Sequence, residues 1–273
     1  ENDSFSPSWD KIQPLNKFTL SLNSSENPYL EKQLLQLELQ FNNLSQQFIK
    51  RGIAKKFLVY FQSFTNTYAP LETIKALYEK ALSFDNVVGL SIGTRSDSIT
   101  IETLEYIKEL SKEKEIWVEY GIQSVFNETL KRINRGHTVE NVEYWIKKTK
   151  SMGINVCGHL IFGLPDENKE MMMKTSKKAI EWGIDSIKMH PMYVVKRTAL
   201  ANEYARDEFK PISEKDYIEM VVETIKLLPK KTSIQRISAG IDDDSLIAPI
   251  WCKNKQKRLD NIRKSLREIG LKY

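Results

Sequence analysis

With 273 residues, 41% of them hydrophobic and 28% charged, the chain has the composition of an ordinary soluble globular protein and room for one α/β barrel or two smaller domains. No stretch reaches the roughly 18–20 apolar residues that cross a bilayer. The two cysteines, Cys157 and Cys252, lie far apart, which excludes a disulfide framework, points to a reducing cytoplasm, and leaves too few thiols for a cluster or structural zinc site.

Residues 1–29 are rich in Ser, Asn and Pro without a sustained period and read as an irregular loop. Leu30, Leu34, Leu37, Phe41, Leu44 and Phe48 recur at helical spacing and predict an amphipathic helix of about five turns. Phe57–Gln62 is a first strand running into the polar turn Thr65-Asn66-Thr67, and Pro70 opens the next helix. A strand at Val87–Ile92 ends in Gly93-Thr-Arg-Ser-Asp97, followed by a helix over Ile101–Ser111. Glu115–Ser124 and Ile154–Pro165 are apolar runs flanking a charged, helix-periodic segment, the pattern of a parallel βαβ unit. A helix over Lys169–Trp182 stops at Gly183, and Ile184–His190 is another strand from which Pro191-Met-Tyr193 turns away. Ser213 caps a helix to about Leu228, Ser233–Ile237 is a weaker sixth strand, Ile241–Ala248 a loop, and the tail a closing helix. Strands alternating with helices predict a parallel sheet, open or curled into a partial barrel.

In such folds ligands sit beyond the carboxyl ends of the strands. A parallel strand buried on both faces should be almost continuous Val, Ile and Leu, yet Glu119, His159, Lys188 and His190 interrupt theirs. Such groups must pair with one another or face a polar cavity. For His159 a core histidine bonded to backbone competes with a site role, and for Lys188 a neighbouring carboxylate competes with substrate. Gly121 would let a ligand approach the backbone beside Glu119. Arg135 lies in a glycine-containing turn, where its planar fork suits a carboxylate, or else a surface salt bridge. Gly163-Leu-Pro-Asp-Glu167 lacks the Lys-Ser/Thr of a phosphate loop and could instead line an adenine. Met171, Met172 and Met173 read as packing residues. Net charge is +5, and from Lys253 to Tyr273 eight Lys/Arg stand against Asp260 and Glu268. That tail is either a solvated helix face or an electrostatic footprint for nucleic acid.

Glu119-Tyr-Gly-Ile-Gln-Ser124, Asn134-Arg-Gly-His137, His159-Leu-Ile-Phe-Gly-Leu-Pro-Asp-Glu167 and Ile187-Lys-Met-His190 resemble motifs of the radical S-adenosylmethionine (SAM) superfamily. Tyr60–Pro70, Gly93–Asp97, Lys196–Leu200 and Leu246–Trp251 narrow the resemblance to the YhcC/YtqA-type subfamily, near the catalytic subunit of elongator. The resemblance implies an α/β fold, a partial (β/α)6 TIM-like barrel of parallel strands whose first strand and cluster loop are missing, plus a C-terminal helical extension. It divides the chain into residues 1–50, a barrel core at 51–200 and an extension at 201–273. The implied cofactors are SAM and a [4Fe–4S] cluster, which together yield a 5′-deoxyadenosyl radical that abstracts hydrogen.

By motif, the resemblance assigns Thr65, Asn66 and Thr67 to the turn that meets the methionine amino group. It makes Glu119 and Gln123 ribose and methionine contacts, and Arg135 the partner of the methionine carboxylate. Gly163, Leu164 and Pro165 become part of the adenine pocket, with His190 nearby and Arg95 on the same rim. Arg95, Lys188, Lys196 and Arg197 are candidates for a substrate carboxylate or phosphates. The implied partners are tRNA and an electron donor such as flavodoxin or ferredoxin, in the cytoplasm and without a membrane. The implied reaction is trimming of carboxymethylaminomethyl to aminomethyl on a wobble uridine. The three-cysteine loop is absent, and Asn2–Ser8 resembles the stretch that follows it, which places the cluster cysteines upstream of Glu1. Ser96 and Ser98 stand where the family often has Pro and Cys, and Arg197 where Gly is usual. Two other readings stay open: a cluster-less nucleoside- or partner-binding module, and a metal-independent barrel enzyme acting on a small acid.

Overall fold

The computed structural model describes residues 28–241 and 243–271. The expected N-terminal loop up to residue 27, including Asn2–Ser8, lies outside the described residues, as does any strand before Glu1. Six parallel strands follow one another in sheet order: β1 (Phe57–Phe61), β2 (Val87–Thr94), β3 (Glu115–Gln123), β4 (Asn155–Phe162), β5 (Ser186–Pro191) and β7 (Ser233–Arg236). The chain therefore has the α/β partial-barrel class expected, with helices following the last strand. The weak sixth strand is real and pairs parallel with β5. Among the described residues no helix is long and apolar enough to cross a membrane.

The chain forms two compact units, one reaching to Tyr120 and including Thr149–Asn155, the other holding Gly121–Lys148 and everything from Val156 onward. In the first, α1 (Pro28–Lys50) packs chiefly on the helix that follows β1, with Phe41 stacked on Phe84 at 4.6 Å and edge-on to Phe57 at 5.7 Å, while Leu44 and Phe48 of its apolar stripe stay exposed. Pro70 is the N-cap of α2 (Leu71–Leu82), where its carbonyl accepts from the Thr73 and Ile74 amides and its lack of an N–H costs nothing. Thr100 caps α3 (Ile101–Leu110), its hydroxyl accepting from the Thr103 amide at 3.1 Å.

In the second unit, α4 (Asn127–Arg132) and the start of α5 (Val139–Ser151) flank the turn holding Arg135. Asn168 caps α6 (Lys169–Glu181), and Gly183 ends it in the left-handed conformation, φ +84°, as its sequence position predicts. Ser213 caps α8 (Glu214–Leu227).

Three parts of this unit depart from expectation. The turn after Tyr193 contains a two-residue strand, β6 (Val194–Val195), paired antiparallel with β8 (Leu246–Ala248) inside the segment read as a loop. Val194 and Ala248 are buried against Phe209, so these strands are fixed by tertiary burial and are too short to carry a period of their own. A short helix, α7 (Ala199–Ala205), opens at Thr198, which accepts from the Ala201 amide. The basic tail does form a helix, α9 (Lys255–Glu268), but Arg258 is fully buried in it. Its Nη1 donates to the Cys252 carbonyl at 2.7 Å and its guanidinium lies 5.9 Å from the Trp251 ring, so it is removed from any surface footprint.

Candidate functional site

In the first unit, polar side chains collect where β1 and β2 end. The Thr94 hydroxyl is shared by Thr67 at 2.6 Å and Thr65 at 3.0 Å, and Thr67 also donates to the Ser98 carbonyl. Asn66 is buried, and its Nδ2 donates to the Phe61 and Gly93 carbonyls at 3.0 and 2.8 Å, tying the two strand ends together. Its carbonyl in turn accepts from the Tyr78 hydroxyl. The Arg95 amide donates to Thr65 Oγ1, but the Arg95 guanidinium turns to Asp97 in a two-pronged pair, which holds it further above its usual pKa. Glu119, on β3, is 1% exposed and accepts from the Ser91 hydroxyl. Thr65, Asn66, Thr67 and the Arg95 main chain therefore lie together at these strand ends, while the Arg95 side chain is committed to Asp97. Thr94 and Ser91 were not singled out, although both sit on a strand whose neighbours are apolar.

In the second unit, Gln123 and Arg135 come together over Gly121. A Cβ built on Gly121 would stand 2.5 Å from Gln123 Nε2 and closer still to Arg135 Nη2. Only glycine leaves room for both heads over this backbone. Gln123 itself is held at φ +63°, and the Arg135 turn is shaped by Asn134 and Gly136 at φ +52° and +82°. A guanidinium and a carboxamide side by side over bare backbone suit a ligand carrying a carboxylate and hydroxyl or amino groups.

Gly163, Leu164, Pro165, Phe209, Pro211 and Ile212 all line a cavity of about 650 Å³, and Gly163 packs directly against Ile212, whose Cβ would lie 2.7 Å from a Cβ built on the glycine. Glu167 closes the turn through the Ser124 hydroxyl, and burial holds its carboxyl above the usual range. Met172 is buried, with its sulfur 3.1 Å from the Gly163 amide, in the packing role read for the methionines.

On β5, Lys188 is buried and His190 half-buried, and the His159 and His190 rings stack at 6.1 Å. Arg236 of β7, which sequence reasoning passed over, places Nη1 3.3 Å from His190 Nε2. Lys196 and Arg197 are exposed on the turn between β6 and α7. Arg197 has φ +64°, a left-handed conformation that glycine adopts without strain.

The Radical SAM superfamily model matches residues 40–179, and the Radical SAM C-terminal domain model matches 184–268. YtqA of Bacillus subtilis (strain 168) is 33% identical over 231 residues, covering 85% of this chain and 72% of its own. A tRNA uridine(34) acetyltransferase of Methanocaldococcus infernus is 30% identical over 190 residues, 68% of this chain and 33% of that protein. Among solved structures, the archaeal Methanocaldococcus infernus Elp3 with an N-terminal deletion superposes with a TM-score of 0.70 at 24% identity, covering 86% of this chain and 60% of that one, a likeness of fold. With one family model spanning half of its length and a relative one-third identical along most of it, the chain belongs to the radical SAM superfamily.

Proposed function

We propose that this chain binds SAM and tRNA for a radical modification of a wobble uridine, the trimming of a carboxymethylaminomethyl group to aminomethyl. The observation that carries the reading is the Gly121 cradle, where Arg135 and Gln123 lie over backbone that a side chain would fill. Arg135 would take the methionine carboxylate, Gln123 would contact the ribose or the methionine, and Gly163 to Pro165 would form part of the adenine pocket. SAM, when bound and reduced, supplies hydrogen-atom abstraction in this superfamily.

The residues present do not fit the cluster. A [4Fe–4S] centre of this type needs three thiolates, and the sequence has two cysteines, both fully buried. No step is derived through it.

The tRNA substrate is supported by the uridine-34 activity in the name of the Methanocaldococcus infernus relative and by the basic α9. Calorimetric titration with S-adenosylhomocysteine tests the cofactor site: saturable binding is expected, weakened severely by Arg135→Ala. Absence of heat from the unaltered protein would refute the reading. Nucleoside mass spectrometry of tRNA from cells lacking the gene tests the substrate, with carboxymethylaminomethyluridine accumulating and aminomethyluridine lost.

A further inference from the structure

Residues 50–56, Lys-Arg-Gly-Ile-Ala-Lys-Lys, carry four cations and no acid, and they join α1 to β1 at the opposite end of that strand from Thr65–Thr67. A tight reversal holds them. Gly52 has φ +66°, its amide donates to the Ile49 carbonyl at 2.9 Å, and the Ile53 amide donates to the Phe48 carbonyl at 2.9 Å. These are the two bonds of a glycine-ended helix stop, which folds the chain back on its last turn. Lys50 and Arg51 therefore stand at the end of the helix, and Lys55 and Lys56 at the entry to the strand.

All four cations are exposed, and among the described residues none has an ion pair or a side-chain hydrogen bond. Other lysines of the same unit differ: Lys75 is held by Glu72, Lys80 by Glu38 and Lys112 by Glu109. The loop before β2 meets β1 through the bond from the Phe57 amide to the Asn86 carbonyl, and it brings one acid, Asp85, which is exposed and pairs with none of the four. At the start of β3, Lys114 stands between Glu113 and Glu115, so the excess of charge is confined to residues 50–56. The helix macrodipole accounts for cations at the helix end, Lys50 and Arg51. It does not account for Lys55 and Lys56, which lie beyond the reversal. Phe48, Ile49 and Ile53, at the same reversal, are 41%, 50% and 61% exposed.

We propose that this reversal grips the phosphate backbone of RNA, at the far end of β1 from the polar strand-end cluster. Four cations with no intramolecular partner to give up, within seven residues, meet a run of phosphates without reading sequence. The exposed Phe48 ring offers an unpaired base a face to stack on. Because main-chain bonds fix the reversal, it presents its charges without the ordering cost of a loose basic loop. That the RNA is the wobble-uridine tRNA rests on the function proposed above; the grip itself does not, since it recognises backbone.

Lys50→Gln, Arg51→Gln, Lys55→Gln and Lys56→Gln combined make the test variant. Lys75→Gln, Lys80→Gln, Lys112→Gln and Lys147→Gln, whose lysines are all held by glutamates, make a control of the same net charge. Fluorescence anisotropy follows the binding of tRNA, and of an RNA hairpin without an anticodon sequence, over about 50–200 mM KCl. The unaltered protein should bind both. The test variant should lower the slope of log affinity against log salt by about 3, at roughly 0.7–0.9 counterions per phosphate contact, and the control by less than about 1. Lys55→Gln with Lys56→Gln alone leaves the helix end untouched and should give about half of the larger fall. S-adenosylhomocysteine should bind every variant as it binds the unaltered protein. A slope unchanged in the test variant, or lowered equally in the control, overturns the grip, and so does a hairpin that the unaltered protein does not bind. Binding to phosphatidylserine vesicles that the test variant loses while keeping its RNA slope would assign the surface to an anionic membrane and likewise overturn it. If the hairpin slope falls as expected but carboxymethylaminomethyluridine does not accumulate in tRNA from cells lacking the gene, the grip stands and the wobble-uridine reading falls.

Discussion

Gly121→Ala separates ligand binding from folding at the proposed cofactor site. The added Cβ would meet Gln123 Nε2 at 2.5 Å, so the carboxamide must retreat by about 0.9 Å to reach the 3.4 Å of an ordinary contact, and the Arg135 head further. A retreat of that size takes donors out of the 2.7–3.2 Å window of a hydrogen bond. Losing one charge-assisted and one neutral bond to the ligand costs about 2–4 kcal/mol, or roughly 30- to 1,000-fold in the S-adenosylhomocysteine dissociation constant. The fold should hardly notice. Both colliding groups are the far ends of flexible side chains, and Gly121 does not have a positive φ. Replacing such a glycine by alanine also removes unfolded-state entropy worth about 0.4–1 kcal/mol. The melting temperature should therefore move by no more than about 2–4 °C, in either direction. Calorimetry and thermal melts on the same preparation decide it. Unchanged affinity would show that the cradle does not face the ligand, and a steep drop in melting temperature would show that Gly121 is there for packing.

Gly89→Ala makes the opposite case, since its Cβ would overlap the Glu115 main-chain carbonyl, and paired strands cannot yield as a side-chain end can. Its cost should be about 3 kcal/mol or more in urea unfolding, and a loss below 1 kcal/mol would mean that the β2–β3 ladder is softer than its geometry implies. Glu167→Gln should change how stability depends on pH. Burial raises the Glu167 pKa above its ordinary 4.5, so the favourable contribution of its protonated form is complete below that value and is lost as pH rises through the raised one. The glutamine variant should therefore match the unaltered protein near pH 4 and exceed it in stability at pH 7; an equal stability difference at the two pH values would contradict this.

The strands whose neighbours on both faces are buried were legible because burial demands runs such as Ile116–Val118 and Val156–Cys157, and flanking helices were legible from the cap Ser213 and the stop Gly183. The pair β6 and β8 was not, because two or three residues carry no period. Arg236 was hidden by the extra residue Gln235, which reverses the face that alternation would assign. Arg258 was hidden in a different way. Counting charges along the tail treats every Lys and Arg as surface, yet Arg258 stands four residues before Ile262 and eight before Leu266, both fully buried, and so lies on the apolar stripe of α9. Helical spacing, applied to the tail as it was to residues 30–48, would have found it.

The same motif letters also conceal two kinds of work. In Thr65-Asn66-Thr67 the asparagine looks the most ligand-like residue, with donor and acceptor both on a short arm. Its two donated bonds, to Phe61 and Gly93, instead bind the end of β1 to the end of β2, and the Tyr78 hydroxyl donates to its main-chain carbonyl. The Gly93 carbonyl accepts from both the main-chain and side-chain N–H groups of Asn66, so this residue holds the two strand ends together whether or not a ligand ever arrives. Arg95 is similar, its fork filled by Asp97 two residues on. At Gly121 the logic reverses. Nothing in the packing of the second unit requires a missing Cβ there, because the atoms it would strike are the movable tips of Arg135 and Gln123. A glycine whose absent side chain makes way only for two polar heads serves what those heads hold. On that ground the Gly121 cradle, more than the Thr-Asn-Thr turn, is where substitution should silence binding while sparing the fold.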